Sequence, residues 1–326
     1  MSSSYVQKGM IFWLLVWSFS FSSFAQSDET PKKSPLDLLM AMQQAYQHKN
    51  YELIYIDTHQ EQLEPKQLLH GVFDGKEARY FRLLNGLMHE SLQFDGKTSY
   101  FRQGGDSYSL EAEHDLSVFS NVAYFDFSAG QNFYDYKVVG SDRIAGKQAI
   151  TIKMTATDNK RYHYLIWLDL KSDLPLKLET LDQKNRVLEQ TMVISLVVSK
   201  QPNPWLAKVV TKKLPETTVI SRINSQKKSQ WKLNAIPAGF RVIKEDQHKV
   251  SAQDKQDSTY ILLSDDLTSV SIYISSLKAS MKAKTLQRGA LTVYSGKRKG
   301  AEVTVIGNVS REMAVALADS IEEIKK

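Results

Sequence analysis

Two glycine-containing stretches of the sequence come close to a phosphate-binding loop. Such a loop needs four residues between two glycines, then Lys, then a Ser or Thr whose hydroxyl reaches magnesium. In GSDRIAGKQ, residues 140–148, five residues separate the glycines and Gln148 replaces the hydroxyl. Asp95-Gly96-Lys97-Thr98 has the right ending, but Ser91 stands where the leading glycine belongs. Both stretches are therefore predicted to be hairpin turns.

Other arrangements of catalytic or metal-ligating residues are incomplete. The sequence has no GxSxG elbow, no HExxH motif and no Asp-rich calcium loop. Its seven histidines are scattered, and His163, between tyrosines on a strand, is expected to be packed or exposed rather than a ligand. Glu111, Glu113 and Asp115 are crowded without a placed partner, as in a solvated loop. We expect no enzyme activity, no metal and no cofactor.

The first 25 residues are predicted to be a secretory signal peptide. A short n-region with Lys8 precedes the apolar stretch MIFWLLVWSFSFSSF, and Ser23-Phe24-Ala25 places small residues before Gln26. The alternative is an uncleaved anchor helix. The chain contains no cysteine, which excludes lipoprotein processing, disulfides, thiolate nucleophiles and Cys-based metal sites.

Charge is distributed unevenly along the chain. Residues 26–200 contain 20 Lys and Arg against 24 Asp and Glu, whereas residues 201–326 contain 21 against 12. The second part therefore carries a net charge of +9 beside −4 for the first. Such an excess favours an acidic partner or an anionic surface, unless it only keeps the protein soluble.

The elements after the signal peptide are mostly strands. Ser34-Pro35 predicts the start of a helix that runs to about Lys49, and successive alternating segments with Asp-Gly and Gly-Gly turns then predict an antiparallel sheet. RYHYLIWLDLKSDLPLKLETLD, residues 161–182, is a hairpin whose first strand has an apolar face made of Tyr162, Tyr164, Ile166, Leu168 and Leu170. Its second face is only half polar and consists of Arg161, His163, Leu165, Trp167 and Asp169. A helix, another domain or a ligand must therefore cover part of the second face.

A second, smaller unit follows a linker predicted over residues 201–225, where three prolines interrupt the pattern. Its hairpins precede a last helix capped by Ser310. The apolar stripe predicted for that helix consists of Met313, Leu317, Ile321 and Ile324. The stretch after IPAGF, RVIKEDQHKVSAQDKQDSTY, is polar and poorly patterned.

YDYKVVGSDRIAGKQAITIKM and the hairpin after it resemble the hallmark region of the RseB/MucB family. The likeness continues through IPAGF, LLSDDLTSVSIYI and RGALTVYSGKRKGAEVTVIGNVSREMAVALADSIEEI, and so spans the mature chain. Members of this family are periplasmic regulators of the sigma-E envelope stress response. The resemblance implies a mainly β protein of two domains with a periplasmic location. It also implies a loop in the polar stretch after IPAGF.

The implied fold has residues 26–200 as a curled antiparallel half-barrel similar to LolA and LppX, with helices on its concave side. Residues 226–326 form a smaller α+β domain that contributes to binding the periplasmic part of the anti-sigma factor RseA. The resemblance also implies that the bound protein shields RseA from the protease DegS, and that lipopolysaccharide or lipoprotein acyl chains release this protection. No nucleic-acid partner is expected, and a homo-oligomer is possible.

Two sets of residues are candidates for binding. The aromatic excess of the large sheet predicts an acyl-chain groove lined by Phe81, Phe94, Phe101 and Trp167. The basic residues predicted to bind the anti-sigma factor are Lys227, Lys228, Lys232, Arg288, Lys297, Arg298 and Lys299.

The main alternative function is a lipid carrier built on the same N-terminal fold, but a carrier needs only the first domain. A third alternative, an envelope hydrolase, is disfavoured because the sequence lacks nucleophile and metal-binding motifs.

The signal peptide makes a direct prediction about the mature product. Because Ser23 and Ala25 occupy the positions that signal peptidase reads, the exported protein should begin at Gln26. N-terminal sequencing of protein from the periplasmic fraction checks this. Met1 retained on membrane-associated protein would identify the segment as an anchor.

Overall fold

The structure is a computed structural model that describes residues 33–58, 64–111, 118–218, 229–248, 258–276 and 282–324. The predicted signal peptide, Glu113, Asp115, Lys227 and Lys228 lie outside these ranges. None of the helices within them is long and apolar enough to cross a membrane. The helices are α1 (Pro35–His48), α2 (Ser120–Ala123), α3 (Phe127–Gly130), α4 (Pro204–Val210) and α5 (Arg311–Asp319).

A single antiparallel sheet dominates the first part of the chain. Its eleven strands lie in the spatial order β6-β5-β4-β3-β2-β1-β11-β10-β9-β8-β7. The strands that come first and last along the chain, β1 and β11, are therefore neighbours in the middle of the sheet. The strands are β1 (Asn50–Asp57), β2 (Lys66–Phe73), β3 (Lys76–Leu83), β4 (His89–Phe94), β5 (Lys97–Arg102), β6 (Tyr108–Leu110), β7 (Tyr134–Ile144), β8 (Lys147–Ala156), β9 (His163–Asp169), β10 (Pro175–Leu181) and β11 (Val187–Ser199).

The two stretches that resemble phosphate loops are turns of this sheet. Asp95 and Gly96 join β4 to β5 with φ of 51° and 73°, and Ala145 and Gly146 join β7 to β8 with φ of 49° and 74°. Two consecutive residues with positive φ make the tight turn whose twist matches paired strands. The hairpin prediction is confirmed at both places.

Helices cover one face of the large sheet. The Ser34 side chain caps α1 by accepting from the backbone N–H of Asp37, as the sequence predicts. Leu39, Met42 and Tyr46 of α1 are completely buried in the main core, together with α2 and α3 residues and one face of the strands. The predicted curled sheet with helices on one side is confirmed.

The opposite face of the sheet has its own cover near β2 and β3. Leu206 and Val209 of α4 pack there in a second apolar cluster with Tyr80 and neighbouring side chains. The predicted linker therefore begins with a helix. After α4 the chain passes the outer edge of β6, where the Ser109 N–H donates to Glu216 and the Thr218 N–H donates to Ser109. The chain itself thus occupies this sheet edge.

The second part of the chain contains a six-stranded antiparallel sheet in the order β13-β14-β15-β18-β17-β16, and a separate pair, β12 and β19. Its smaller apolar core lies between this sheet and α5. The strands are β12 (Trp231–Leu233), β13 (Arg241–His248), β14 (Ser258–Ser264), β15 (Ser269–Ser276), β16 (Lys284–Arg288), β17 (Leu291–Arg298), β18 (Ala301–Gly307) and β19 (Ile321–Glu323).

Two local predictions for this domain are wrong. The Ser310 side chain caps α5 as predicted, and Met313 and Leu317 are buried, but the helix ends at Asp319. Ile321 instead pairs with Leu233 in the β12–β19 ladder, and Ile324 is half-exposed. The polar stretch after Phe240 begins with strand β13 rather than a loop. The predicted small α+β domain is confirmed.

Candidate partner-binding site

The two domains meet at the start of the hairpin formed by residues 161–182. The Tyr162 hydroxyl lies 2.8 Å from the carbonyl oxygen of Val309 and 3.1 Å from that of Ala290, and the Gln287 side chain donates to it at 3.3 Å. Burial raises the pKa of Tyr162, so the hydroxyl remains a neutral donor. One residue of the large domain is therefore fixed by three residues of the small domain.

Arg161, the preceding residue, is buried between the domains. Its guanidinium lies 4.8 Å from the ring centre of Phe133 and 5.5 Å from that of Phe240, one aromatic from each domain. It also donates to the Ala238 carbonyl and to the Asp158 carboxylate. Stacking and hydrogen bonds from both sides replace the water that this charge has lost.

Asp265 of the small domain completes this environment. Its Oδ2 lies 3.5 Å from Nε of Arg161, and the side chains are only 7% and 5% exposed. The other carboxylate oxygen accepts from the backbone N–H groups of Leu267 and Thr268. Burial raises the pKa of Asp265 despite the opposing effects of the Thr268 N–H and the Arg161 charge. The Thr268 N–H and the Arg161 guanidinium therefore both favour the charged form of this buried carboxylate.

A third contact lies beside Tyr162. The Glu189 carboxylate accepts from the backbone N–H of Ala290 at 3.0 Å. Gly289 has φ of 58°, and a Cβ there would lie 2.9 Å from the Glu189 side chain. A glycine is needed both for the turn and for this close approach.

These contacts explain the half-polar face of the hairpin. On that face, Arg161 is covered by the small domain, and the Lys177 ammonium lies 4.5 Å from the ring centre of Trp167. Tyr162, on the apolar face, also contacts the small domain. Buried His163 accepts from the Ala156 N–H through Nδ1, and burial lowers its pKa, so the ring is neutral. Of the two environments expected for His163, packed or exposed, the structure shows the packed one. Leu170, predicted on the apolar face, is instead 52% exposed.

Two clefts flank the junction. The larger, about 620 Å³, has Tyr162 and the β10–β11 turn on one side and Gln287, Gly289 and Arg311 on the other. Its charged lining residues are Lys184, Arg186, Arg311, Asp182 and Glu312. The smaller cleft, about 210 Å³, is lined by side chains of both domains, including Val122, Tyr164, Leu178, Ala290 and Asn308.

The four predicted groove aromatics do not share a surface. Phe81 packs against the main core on the helix-covered side, whereas Phe94 and Phe101 pack against the α4 cluster on the opposite side. Trp167 belongs to the main core cluster together with Phe81, and the Lys177 ammonium lies over its ring. The four aromatics therefore divide between two clusters, and an acyl-chain groove lined by them stays a prediction.

Among the described basic candidates, several are engaged within the small domain. Arg298 pairs with Asp319 and lies over the Tyr294 ring, and Lys232 Nζ lies 3.4 Å from Glu322. Lys297 and Lys299 are exposed at the β17–β18 turn, and Arg288 is exposed at the end of β16. Lys232 and Lys299 both lower the pKa of Glu322, after the larger effect of the Asn234 hydrogen bond. The structure thus brings Lys232 and Lys299 near one carboxylate.

A buried polar cluster in the large domain was not predicted. Completely buried His70 lies 2.6 Å from the Lys49 carbonyl through Nδ1 and 2.6 Å from the Glu77 carboxylate through Nε2. Glu77 also accepts from Arg79 and from the Tyr124 hydroxyl. Burial raises the pKa of Glu77, but the hydrogen bonds from His70 and Arg79 outweigh it and lower the pKa overall. No group of three potential metal ligands occurs within the described residues.

Comparison with known proteins assigns the chain to a family. The model of the MucB/RseB N-terminal domain matches residues 34–226, and the model of the MucB/RseB C-terminal domain matches residues 225–322. The chain belongs to the MucB/RseB family. The predicted resemblance is confirmed.

Relatives in this family align over nearly the whole chain. The sigma-E factor regulatory protein RseB of Salmonella typhimurium is 28% identical over 95% of this chain and 96% of its own length. The sigma factor AlgU regulatory protein MucB of Pseudomonas aeruginosa is 26% identical over 76% of this chain and 78% of its own. MucB in its complex with MucA from that organism has 22% identity and a TM-score of 0.71, covering 90% of this chain and 99% of that one.

The junction makes a pH-dependent prediction. Arg161→Met should lower the free energy of unfolding by about 3 kcal/mol at neutral pH, because it leaves the Asp265 carboxylate buried without its cation. The Arg161 charge lowers the pKa of Asp265, so the folded variant should have a higher Asp265 pKa than the folded wild type and should bind that proton more tightly. The loss should therefore shrink as the pH falls from 7 towards 4.

Chemical denaturation at several pH values measures this difference. Adding Asp265→Asn to the Arg161→Met variant should recover much of the stability. Arg186→Met, which removes an arginine paired with Asp182 at 73% exposure, is the control and should cost less than about 0.5 kcal/mol. A pH-independent loss without rescue would contradict the role assigned to the Arg161–Asp265 pair.

Proposed function

We propose that this protein is a periplasmic regulator that binds the periplasmic segment of an anti-sigma factor and thereby restrains a sigma-E-type stress response. The observation that carries the proposal is full-length coverage: relatives named as sigma-E factor regulatory proteins align over 95% of the chain, including both domains. A structure of MucB in complex with MucA(peri) has the same fold, with a TM-score of 0.71. A non-enzymatic role agrees with the binding functions of these relatives.

The same coverage separates the regulator from the carrier. A carrier requires only the large domain, whereas here the small domain is joined to it by Arg161, Tyr162 and Glu189. Buried contacts of this kind hold both domains in one binding unit. A periplasmic location follows from the partner and from the predicted signal peptide.

We assign partner binding to the clefts beside the junction and to the exposed basic turn of the small domain. Lys297 and Lys299 are available for long-range attraction, whereas Arg298 is held by Asp319. Charges that do not enter the contact act mainly on the association rate, over a Debye length of about 8 Å at physiological salt. Apolar contacts in the clefts would supply most of the affinity.

Association kinetics test this assignment. The mature protein should bind the periplasmic segment of its cognate anti-sigma factor, and Lys297→Glu/Lys299→Glu should slow association roughly threefold at low salt, with a smaller effect at physiological salt. Both lysines are exposed, so the melting temperature should hardly change. Lys137→Glu/Lys171→Glu makes the same change in charge on the large domain and is the control. No binding by the wild type would refute the proposed function, and an unaltered rate would assign the turn to solubility.

The proposal includes shielding of the partner from the protease DegS and release by a lipid signal. Support for the lipid comes from the apolar part of the smaller cleft, where Val122, Leu178 and Ala290 contribute from both domains. Each methylene buried there would contribute about 0.8 kcal/mol. A chain bound between the domains would compete with contacts such as that between Glu189 and Ala290.

A cleavage assay tests shielding and release together. DegS should cut the anti-sigma segment slowly in the presence of the mature protein, and addition of lipopolysaccharide should restore the rate. Leu178→Asp should weaken the lipid response because it places a charge in the apolar cleft. Leu170→Asp, at an exposed position of the same hairpin, is the control. Unchanged cleavage with and without the protein would end the shielding hypothesis.

A further inference from the structure

Strand β16 forms an open edge of the six-stranded sheet beside the larger cleft. It is the last strand in the spatial order and pairs with β17 alone among the described strands. Gln287 and Gly289, at its end, line the cleft. An edge strand presents unpaired backbone groups to which another extended chain can bind.

The register identifies the groups on that edge. Arg288 and Leu291 flank the two-residue turn of Gly289 and Ala290, so they form a pair that exchanges backbone hydrogen bonds. Because this pattern alternates, Leu286 and Lys284 also bond towards β17. The backbone N–H and C=O groups of Thr285 and Gln287 are therefore directed away from the sheet.

Side chains along β16 differ from those on the other sheet edges. Leu286, in the middle, is 68% exposed, and Lys284 and Arg288 stand at the two ends. Edges elsewhere carry protection: β6 is covered by the chain near Glu216, and β7 has a bulge after Val138 and charges of both signs. The β13 edge also exposes apolar side chains, but it has a bulge after Val242, and its basic residues Arg241 and Lys244 pair with Asp266 and Asp246. An apolar centre between two basic ends suits an extended peptide with an apolar residue flanked by acidic ones.

The adjoining cleft continues this charge pattern. Lys184, Arg186 and Arg311 line it against Asp182 and Glu312, so it carries a small positive balance. Val187, which is 53% exposed, supplies an apolar side chain on the opposite wall.

We propose that an acidic, extended segment of the partner binds as an additional strand along β16, with an apolar side chain beside Leu286. This proposal rests on the proposed function and specifies how the same partner is recognised. Backbone pairing at Thr285 and Gln287 supplies register, and the basic groups select the acidic sequence.

Hydrogen exchange on the full mature chain provides the test. With the periplasmic segment of the cognate anti-sigma factor as probe, the amides of Thr285 and Gln287 should become protected on binding. The amides of Leu286 and Arg288, already bonded within the sheet, should change little. Binding without protection at Thr285 and Gln287 would overturn strand addition while leaving the proposed function intact. Failure of the wild type to bind would refute both.

A pair of variants adds an independent measurement. Leu286→Asp should weaken affinity for the same segment about tenfold, because it removes an apolar contact and repels an acidic chain. Val242→Asp, on the edge strand β13 where Val242 is 44% exposed, is the matched control and should leave affinity unchanged. Both positions are exposed, and equal melting temperatures would verify folding. Equal affinities of the two variants would contradict the assignment to β16.

Discussion

The arrangement of this protein depends on one buried cation. A guanidinium cannot lose its proton inside a protein, so burying Arg161 requires acceptors and aromatic faces around it. These come from both domains: Asp158 and Phe133 from the large one, Asp265 and Phe240 from the small one. Moving the domains apart would separate Arg161 from Asp265, and each charge would then have to be hydrated again or remain without a partner. The junction therefore favours a defined relative orientation over a loose connection of two independent units.

The turn that supplies Asp265 is shaped for this contact. Asp265 accepts from the N–H groups of Leu267 and Thr268, and the intervening Asp266 adopts φ of 68°. Asp266 in turn pairs with exposed Arg241. Two adjacent aspartates thus have different roles, since one orders the turn and meets the interdomain cation, while the other is held at the surface.

Features set by a few neighbouring residues could be predicted from sequence. The Ser34 and Ser310 caps and the Asp95–Gly96 turn each follow from local hydrogen bonding or local backbone preference. Ile321 has a helical spacing from Leu317, yet it lies on a strand, because its pairing with β12 is decided by tertiary contacts that a periodicity does not contain.

The site was predictable only in part, for the same reason. The half-polar face of the hairpin indicated that something covers it, and the domain split suggested a candidate, but Asp265 lies too far along the chain for spacing to reveal it. Net charge also gave an incomplete guide. The 21 basic residues of the second part include Arg298, Lys232 and Arg241, which pair with carboxylates of the same domain, so the net +9 does not show which positions carry the excess charge. Counting charges does not distinguish those that attract a partner from those already neutralised locally.

Helix α4 and the segment after it also determine where the large domain ends as a folding unit. A fragment stopped at residue 200 would lack Leu206 and Val209, leaving the apolar surface around Tyr80 open to water. It would also uncover the edge of β6, which Glu216 and Thr218 now occupy. An exposed apolar surface beside an unpaired strand edge promotes aggregation, because strands of separate molecules can pair at that edge. The segment between the domains therefore does more than connect them: by covering this apolar surface and the edge of β6, it disfavours self-association.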